Sequence, residues 1–278
     1  MKWLALVLAL LAAPLAAQTR LLLGATHTLD NSGFLAAVLP QFTADTGIRV
    51  DTVVLGTRQI LAMAERGEFD VLITHHRPSE LAFIAAGYGT ARNDLMFNDF
   101  VLIGPADDPA GIASAADAPA ALAAIAASQA RFISRGDESG THLREQELWA
   151  QAGLNPAGDW YYAVGAGMGA TLNIAAALSA YTLSDRATWL TFQGQAGLAL
   201  LFEGGAGLRN DYSLIEINAA RFAHINAEAA QTFASWMLGP KGQAAIAAFR
   251  PNGQQLFCPA RQHPGQEQGG KPCTTNAQ

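Results

Sequence analysis

The stretch SRGDESGTH, residues 134–142, brings one arginine and two hydroxyl side chains to the predicted start of a helix. Arg135, Ser139 and Thr141 follow a β-type segment, and a helix pattern begins at Gly140. The first turn of a helix carries unpaired N–H groups and a partial positive charge, so it attracts anions. The guanidinium and the hydroxyls therefore favour an anion site, although an ordinary N-cap turn with a surface arginine would use the same residues.

Three further polar loops precede predicted helices, and all four share hydroxyls or backbone N–H groups and contain no lysine. The four loops are residues 26–32, 56–57, 135–141 and 165–171. Arg135 is the arginine within them, and Arg58 lies one residue past Thr57. Such loops can replace the water shell of a dianion with fixed dipoles, hydroxyls and one countercharge. Each loop taken alone also suits an ordinary helix cap.

The loop VGAGMGA, residues 164–170, admits a second interpretation as a dinucleotide site. Gly165, Gly167 and Ala170 match the fingerprint G-x-G-x-x-A after a predicted strand, and Asp185 follows Gly165 by 20 residues. Against this, the motif lies mid-chain rather than in an opening βαβ unit, and export would separate the protein from cytoplasmic NAD. An exported α/β enzyme that uses the 165–170 glycine loop for a nucleotide remains an alternative.

The sequence contains no recognisable catalytic or metal-cation motif. It has neither a G-x-S-x-G elbow nor an H-E-x-x-H pattern. His75 and His76 are adjacent, so on a strand they face opposite sides, and we interpret them as loop or core histidines. Asp137 beside Arg135 suits a simple ion pair. We expect a protein that is not an enzyme, with no catalytic residue, no metal cation and no cofactor.

Length and charge narrow the class of protein. The chain has 278 residues, 50% of them hydrophobic, and a formal net charge of −6 at pH 7. This length is enough for about two domains with a sizeable core. A protein that coats nucleic acid needs a basic face, so we expect no nucleic-acid partner, while one site can still be locally positive.

The N-terminus, residues 1–17, has the pattern of a secretory signal peptide. An apolar run extends from Trp3 to Ala13, and small residues precede Gln18. We expect cleavage after Ala17 and a periplasmic location.

Both cysteines, Cys258 and Cys273, belong to the polar C-terminal tail of residues 258–278. In an oxidising compartment we expect them to form one disulfide. That bond would close a loop rich in Gly, Pro and Gln with no core of its own.

Strand-like and helix-like segments alternate along the chain, which predicts an α/β fold with mostly parallel sheets flanked by helices. Strands are expected at TRLLLGAT, IRVDTVVLG, FDVLITH and DFVLIGP, and a second alternating set begins near Ala106. Because the carboxyl ends of parallel strands share one edge, Thr26, Thr57 and His75 are expected at the ligand edge.

Two alternating sets predict two lobes with a ligand cleft between them. We assign residues 18–104 plus 213–257 to a discontinuous lobe 1, and residues 105–212 to lobe 2. Ligand binding is expected to close the lobes about a hinge near 103–106 and 204–213.

Several long blocks resemble, in order, the periplasmic tungstate-binding proteins of ABC uptake systems. The blocks are DNSGFLAAVLPQFTADTGIRVDTVVLGT, FDVLITH, GYGTARNDLMFNDFVLIGPADDPAGI, SRGDESGTH, GAGMGATLNIA and YTLSDRATWL, and they cover nearly all of residues 20–250. The resemblance implies the two-lobed periplasmic-binding-protein type II fold with tungstate or molybdate in the cleft. It also implies an ABC permease and its ATPase as partners of a binding protein that we expect to be a monomer.

The resemblance implies a set of ligand-binding residues that match the family's pattern. They are Thr26, Thr28, Thr57, Arg135, Ser139, Thr141 and Thr171, with His27, Gly169 and Ala170 as further candidates. The family's first loop is a run of threonines closed by serine, whereas this chain has Ala25-Thr26-His27-Thr28. Ala25 and His27 depart from that pattern, which affects the expected oxyanion preference more than the fold.

Selectivity among oxyanions stays open at the level of sequence. Tungstate and molybdate have nearly the same size and charge, sulfate is smaller, and phosphate carries protons. Asp137 could accept such a proton, so a phosphate- or sulfate-type binder is one alternative. A sensor or adaptor with a degenerate pocket is another, motivated by Ala25 and His27.

Overall fold

The computed structural model describes residues 18–195 and 197–260. The predicted signal peptide and Cys273 lie outside these residues, so the leader and the disulfide stay predictions. Cys258 itself does not carry a free thiol. Within the described ranges, no helix is both long enough and apolar enough to cross a membrane.

The first part of the chain alternates strands with helices, as its hydrophobic pattern predicted. Its elements are β1 (Arg20–Thr26), α1 (His27–Asn31), α2 (Phe34–Thr46), β2 (Arg49–Leu55), α3 (Thr57–Ala64), β3 (Val71–Thr74), α4 (Arg77–Ala85) and β4 (Asn93–Pro105). Strand β1 is central, because it pairs in parallel with both β2 and β3. Gly33 and Gly47 flank α2 at φ of 79° and 74°, which a residue without Cβ adopts freely.

The middle of the chain builds a second core. Its elements are α5 (Ala118–Ser128), β5 (Phe132–Ser134), α6 (Gly140–Gln151), β6 (Tyr161–Ala163), α7 (Met168–Leu178), β7 (Thr182–Asp185), α8 (Arg186–Thr191) and β8 (Leu198–Glu203). Asp117, Ser139 and Asp185 cap α5, α6 and α8 by accepting a hydrogen bond from a first-turn N–H group. Phe132 and Trp149 pack edge-on in this core at a centroid distance of 5.3 Å.

The last elements return to the first core. They are β9 (Arg209–Glu216), α9 (Ala227–Leu238), α10 (Pro240–Ala248) and β10 (Cys258–Pro259). Phe233 of α9 packs edge-on against Phe42 of α2 at 5.0 Å, and both rings are fully buried. Burying one such side chain contributes about 1.5–3 kcal/mol, which fixes α9 on the first lobe.

Strand β4 runs through both lobes and joins them. Residues 93–99 pair with β9, whereas residues 100–105 pair with β7 and β8, all in antiparallel fashion. The partner changes between Asp99 and Phe100, and the chain returns through the segment between β8 and β9. The lobe boundaries at 104/105 and 212/213 stay predictions.

The sheets are mixed, whereas the sequence predicted mostly parallel ones. Among the named strands, parallel pairing is found for β1–β2, β1–β3 and β5–β6, and every strand that pairs with β4 is antiparallel to it. Strand direction depends on partners far away in sequence, which periodicity does not encode. Strand β8 was not predicted, and α1 occupies most of the loop expected at 26–32.

Candidate functional site

A small cavity lies where the carboxyl ends of β1, β2 and β3 face the loop after β5. It is lined by Thr26, His27, Thr28, Leu55, Gly56, Thr57, His75, Arg135, Ser139 and Gly140. The parallel strands bring Thr26, Thr57 and His75 to one edge. Arg135 and Ser139 come from the lobe that holds β5 and α6, so the cavity lies between the lobes.

Four helices begin at this cavity or at the cleft that adjoins it. Helix α1 begins after Thr26, α3 after Gly56 and α6 after Ser139, and all three N-cap residues line the cavity. Helix α7 begins after Gly167 at an adjoining cleft. The first N–H groups of a helix have no acceptor within it and carry partial positive charge. These helix starts therefore make the cavity favourable for an anion without any lysine.

Arg135 is the arginine among the lining residues, and its side chain is 3% exposed. Its Nη2 and Nε donate to Oδ2 of Asp137 at 2.6 and 3.1 Å, while Oδ1 accepts from the Ser139 N–H at 3.2 Å. Burial would raise the pKa of Asp137, but the Arg135 charge and the hydrogen bonds from Ser139 outweigh burial and lower that pKa. The ionised carboxylate thus holds the guanidinium at the cavity.

Three buried threonine hydroxyls at or beside the cavity have no hydrogen-bond partner. Thr26, Thr57 and Thr141 are 3%, 0% and 1% exposed, and the Oγ1 of each is unpaired. Thr141 lies in the first turn of α6, next to the lining residue Gly140. A buried unpaired polar group costs about 1–3 kcal/mol, so folded proteins rarely keep one without a use. A ligand with acceptor oxygens would pair these hydroxyls.

The other predicted hydroxyls already have partners. The Thr28 hydroxyl donates to Oδ2 of Asp185 at 3.2 Å, and the Ser139 Oγ accepts from the His142 N–H at 3.3 Å. The Thr171 hydroxyl and N–H both donate to the carbonyl of Gly167, at 3.1 and 3.0 Å. Thr171 therefore has both donors occupied and lies outside the cavity lining.

A PBP superfamily domain matches residues 13–241 of the chain. A tungstate-binding protein of Peptoclostridium acidaminophilum is 41% identical over 247 residues, which are 87% of this chain and 86% of that protein. The chain belongs to the PBP superfamily, in the family of the tungstate-binding proteins.

Two solved structures extend this family relationship to three dimensions. The crystal structure of the tungstate ABC transporter from Geobacter sulfurreducens superposes with a TM-score of 0.75 at 42% identity, over 83% of this chain and 99% of that one. The tungstate-binding protein of Desulfovibrio alaskensis G20 gives a TM-score of 0.76 at 41% identity, over 87% and 98%. These matches confirm the predicted two-lobed PBP fold.

The inner cavity of this PBP-superfamily protein opens into a wider cleft. The cavity is about 10 Å³, room for roughly one water-sized group, whereas the cleft is about 480 Å³. His27, Asp137 and residues 165–170 line the cleft, which places Gly169 and Ala170 there. Burial and then the charge of Arg135 lower the pKa of His27. A tetrahedral oxyanion is larger than the inner cavity and smaller than the cleft.

The glycine loop lies at this cleft, but Asp185 is not available to hold a ribose. The Asp185 carboxylate is fully buried and accepts hydrogen bonds from Thr28 at 3.2 Å and from the N–H and hydroxyl of Thr188 at 2.8 and 2.7 Å. It caps α8 and links α1 to the other lobe. These contacts argue against the nucleotide interpretation of residues 165–170.

The two adjacent histidines have different surroundings. His75 is 8% exposed and lines the cavity, with its ring stacked on Tyr212 at 4.8 Å and Nδ1 2.8 Å from Oδ1 of Asn210. His76 lies at the α4 N-cap with Nε2 3.0 Å from Oε1 of Glu147. Within residues 18–195 and 197–260, no group of three or more His, Cys, Asp or Glu side chains is placed to hold a metal ion.

Proposed function

We propose that this protein captures a tetrahedral oxyanion, tungstate first and molybdate second, in the cavity beside Arg135. The observation that carries this proposal is the set of unpaired Thr26, Thr57 and Thr141 hydroxyls beside a buried guanidinium. Hydroxyl and guanidinium groups donate to oxyanion oxygens, and the helix starts add N–H dipoles. An oxyanion would accept hydrogen bonds from these hydroxyl and guanidinium donors, whereas an uncharged ligand would bring no negative charge to Arg135.

The relatives support the same ligand class and a role in transport. The Peptoclostridium protein is named as tungstate-binding, and the Geobacter structure is that of a tungstate ABC transporter. We further propose that the protein acts in the periplasm after cleavage behind Ala17, as a monomer that delivers its anion to an ABC permease and its ATPase. It makes and breaks no bond, and needs no cofactor.

The contacts of Asp137 favour tungstate and molybdate over phosphate. A phosphate site gains from a carboxylate that accepts the phosphate proton. Asp137 is oriented by other donors, since Oδ2 accepts from Arg135 at 2.6 Å and Oδ1 from the Ser139 N–H at 3.2 Å, so a phosphate proton would compete with them. A fully deprotonated anion needs donors alone, which is what the threonines, the helix starts and Arg135 offer.

Closure of the lobes accompanies binding in this proposal. We keep the predicted hinge near 103–106 and 204–213, between lobe 1 (18–104 plus 213–257) and lobe 2 (105–212). The change of partner strands along β4, between Asp99 and Phe100, lies just before the first of these segments. Contacts across the cleft support closure, because Thr28 bonds Asp185 at 3.2 Å. The closed form would present a continuous surface of both lobes to the permease.

Isothermal titration calorimetry on the purified mature protein tests the function. Tungstate, molybdate, sulfate, phosphate and NAD are titrated separately at the same pH and salt concentration. The proposal expects tight binding of tungstate and molybdate and weak or no binding of the other three. Binding of NAD would instead support an exported enzyme, and heat-silent titrations with every anion would support a degenerate pocket.

A further inference from the structure

The charge of Arg135, the arginine that lines the cavity, is shared between a carboxylate and any oxyanion that binds there. Tungstate is a dianion at neutral pH, whereas Arg135 already pairs with Asp137 at 2.6 Å. Asp185 adds a second buried carboxylate behind Thr28. Burying unbalanced charge is strongly unfavourable, so one more cation at the cavity would favour binding.

His75 is placed to supply that cation. Its Nδ1 faces Oδ1 of Asn210 at 2.8 Å, and the amide nitrogen of Asn210 donates to Oδ1 of Asn98 at 2.7 Å and to the Tyr212 hydroxyl at 3.3 Å. The amide nitrogen is thereby committed, so the Asn210 oxygen faces the ring and Nδ1 carries the proton. In the neutral ring Nε2 is then the unprotonated nitrogen.

The Cε1 edge of the ring, between the two nitrogens, faces the start of α6. A Cβ placed on Gly140 would be nearest to Cε1 of His75, 2.6 Å from Nε2 and 2.8 Å from Nδ1. Glycine at 140 therefore leaves the imidazole room beside the first N–H groups of α6, at the wall of the cavity. Because His75 lines the cavity, a lone pair on Nε2 would repel an oxygen of a bound anion, whereas an Nε2–H group would donate a hydrogen bond to that oxygen.

We propose that His75 takes up one proton from solvent when the oxyanion binds, and becomes the second cation of the site. This inference rests on the proposed function. The proton adds to Nε2, the Nδ1 hydrogen bond to Asn210 is kept, and the imidazolium faces the anion. His75 thus acts as a binding residue that matches the charge of the cavity to a dianion.

The groups around His75 fit a ring that is neutral before binding. Burial lowers the pKa of His75 and outweighs the Asn210 hydrogen bond and the charges of Asp185 and Glu80, which raise it, while the Arg135 charge lowers it further. Asp185 lies at the end of β7, Glu80 in α4 and Arg135 in the loop after β5. Tyr212 of β9 stacks on the ring without charge. A dianion at the cavity would add a strong attraction for the protonated form.

Calorimetry in buffers of different ionisation enthalpy measures the proton directly. The binding enthalpy of tungstate should vary linearly with buffer ionisation enthalpy, and the slope gives net uptake approaching one proton at neutral to mildly alkaline pH. Affinity should fall as pH rises, by up to about tenfold per pH unit. The variant His75→Asn keeps a donor toward Asn210 and cannot titrate, so its slope should be zero.

A second variant and a spectroscopic signal keep the test decisive. His75→Gln can place a neutral N–H near the Nε2 position, and it should bind tungstate more tightly than His75→Asn without proton uptake. In ¹⁵N spectra of the wild type, the His75 ring should change from one protonated nitrogen to two on adding tungstate.

Defined outcomes would overturn the inference. Tungstate binding with no proton uptake, or uptake that persists in His75→Asn and disappears in His27→Gln, would reject His75 while leaving the proposed function intact. An unchanged ¹⁵N signal of His75 on saturation would do the same. Absence of tungstate binding in the wild type would reject the proposed function itself.

Discussion

Replacing Arg135 by alanine removes the charged donor around which the cavity is built. The side chain is 3% exposed, and its Nη2 and Nε both contact Asp137. The substitution therefore has two consequences at once. It deletes the guanidinium that would face the anion, and it leaves the Asp137 carboxylate without its cation beside that anion.

Both consequences weaken binding of a dianion. Hydrogen bonds to charged groups contribute about 1.5–3 kcal/mol, and truncating one partner of a buried charge pair costs about 2–5 kcal/mol. We expect Arg135→Ala to cost about 3 kcal/mol, which is roughly a 150-fold rise in the Kd for tungstate. The double variant Arg135→Ala/Asp137→Asn should recover part of this loss, because the stranded negative charge is removed.

Titration calorimetry with tungstate measures these Kd values, and Arg131→Ala is the matched control. Arg131 lies four residues away, is exposed and donates to the carbonyl of Leu178. Its replacement should leave the Kd unchanged. An Arg135→Ala protein that is folded by circular dichroism and binds tungstate as tightly as the wild type would refute the role of Arg135 in the site.

Three other predictions concern single buried groups. Thr57→Val removes an unpaired hydroxyl, so the free energy of unfolding of the anion-free protein, measured by thermal denaturation, should rise by about 1 kcal/mol, while tungstate affinity should fall about tenfold. An equal change in stability with and without tungstate would contradict this prediction. Gly140→Ala places a Cβ 2.4 Å from the His75 ring and should lower the free energy of unfolding by about 1–3 kcal/mol in urea titrations. Burial raises the pKa of Glu145 from 4.5 to about 7, so the folded state holds its proton more tightly than the unfolded chain. The free energy of unfolding should therefore fall by about 3 kcal/mol as the pH rises from below 4.5 to above about 7, and Glu145→Gln should remove this pH dependence. An identical pH profile of stability in the variant would show that another group causes the dependence.

The location of the site could be predicted because local rules determine it. Thr26, Thr57 and His75 each follow a parallel strand, and parallel strands end at a common edge. Ser139 caps α6 through a hydrogen bond within four residues of sequence. Hydroxyl and glycine residues between a strand and a helix therefore marked Thr26, Thr57 and Ser139 at the cavity, whereas Thr171 lies outside its lining.

The state of each donor could not be predicted, because distant residues decide it. Thr28 and Asp185 are 157 positions apart, yet their hydrogen bond takes the hydroxyl that a loop pattern assigned to the ligand. Asn210, which orients His75, is 135 positions away in β9. The direction of β4 relative to its neighbours is likewise set by strand pairing across the whole chain, so the sheets are mixed although the segments alternate.

Tungsten itself offers the most direct test of the central claim, because its anomalous X-ray scattering marks its position. Crystals of the mature protein grown with tungstate should show one strong anomalous peak between the lobes, with oxyanion oxygens within hydrogen-bonding distance of Arg135, Thr26 and Thr57. A fully occupied peak elsewhere, or crystals saturated with tungstate that show no peak beside Arg135, would contradict the account.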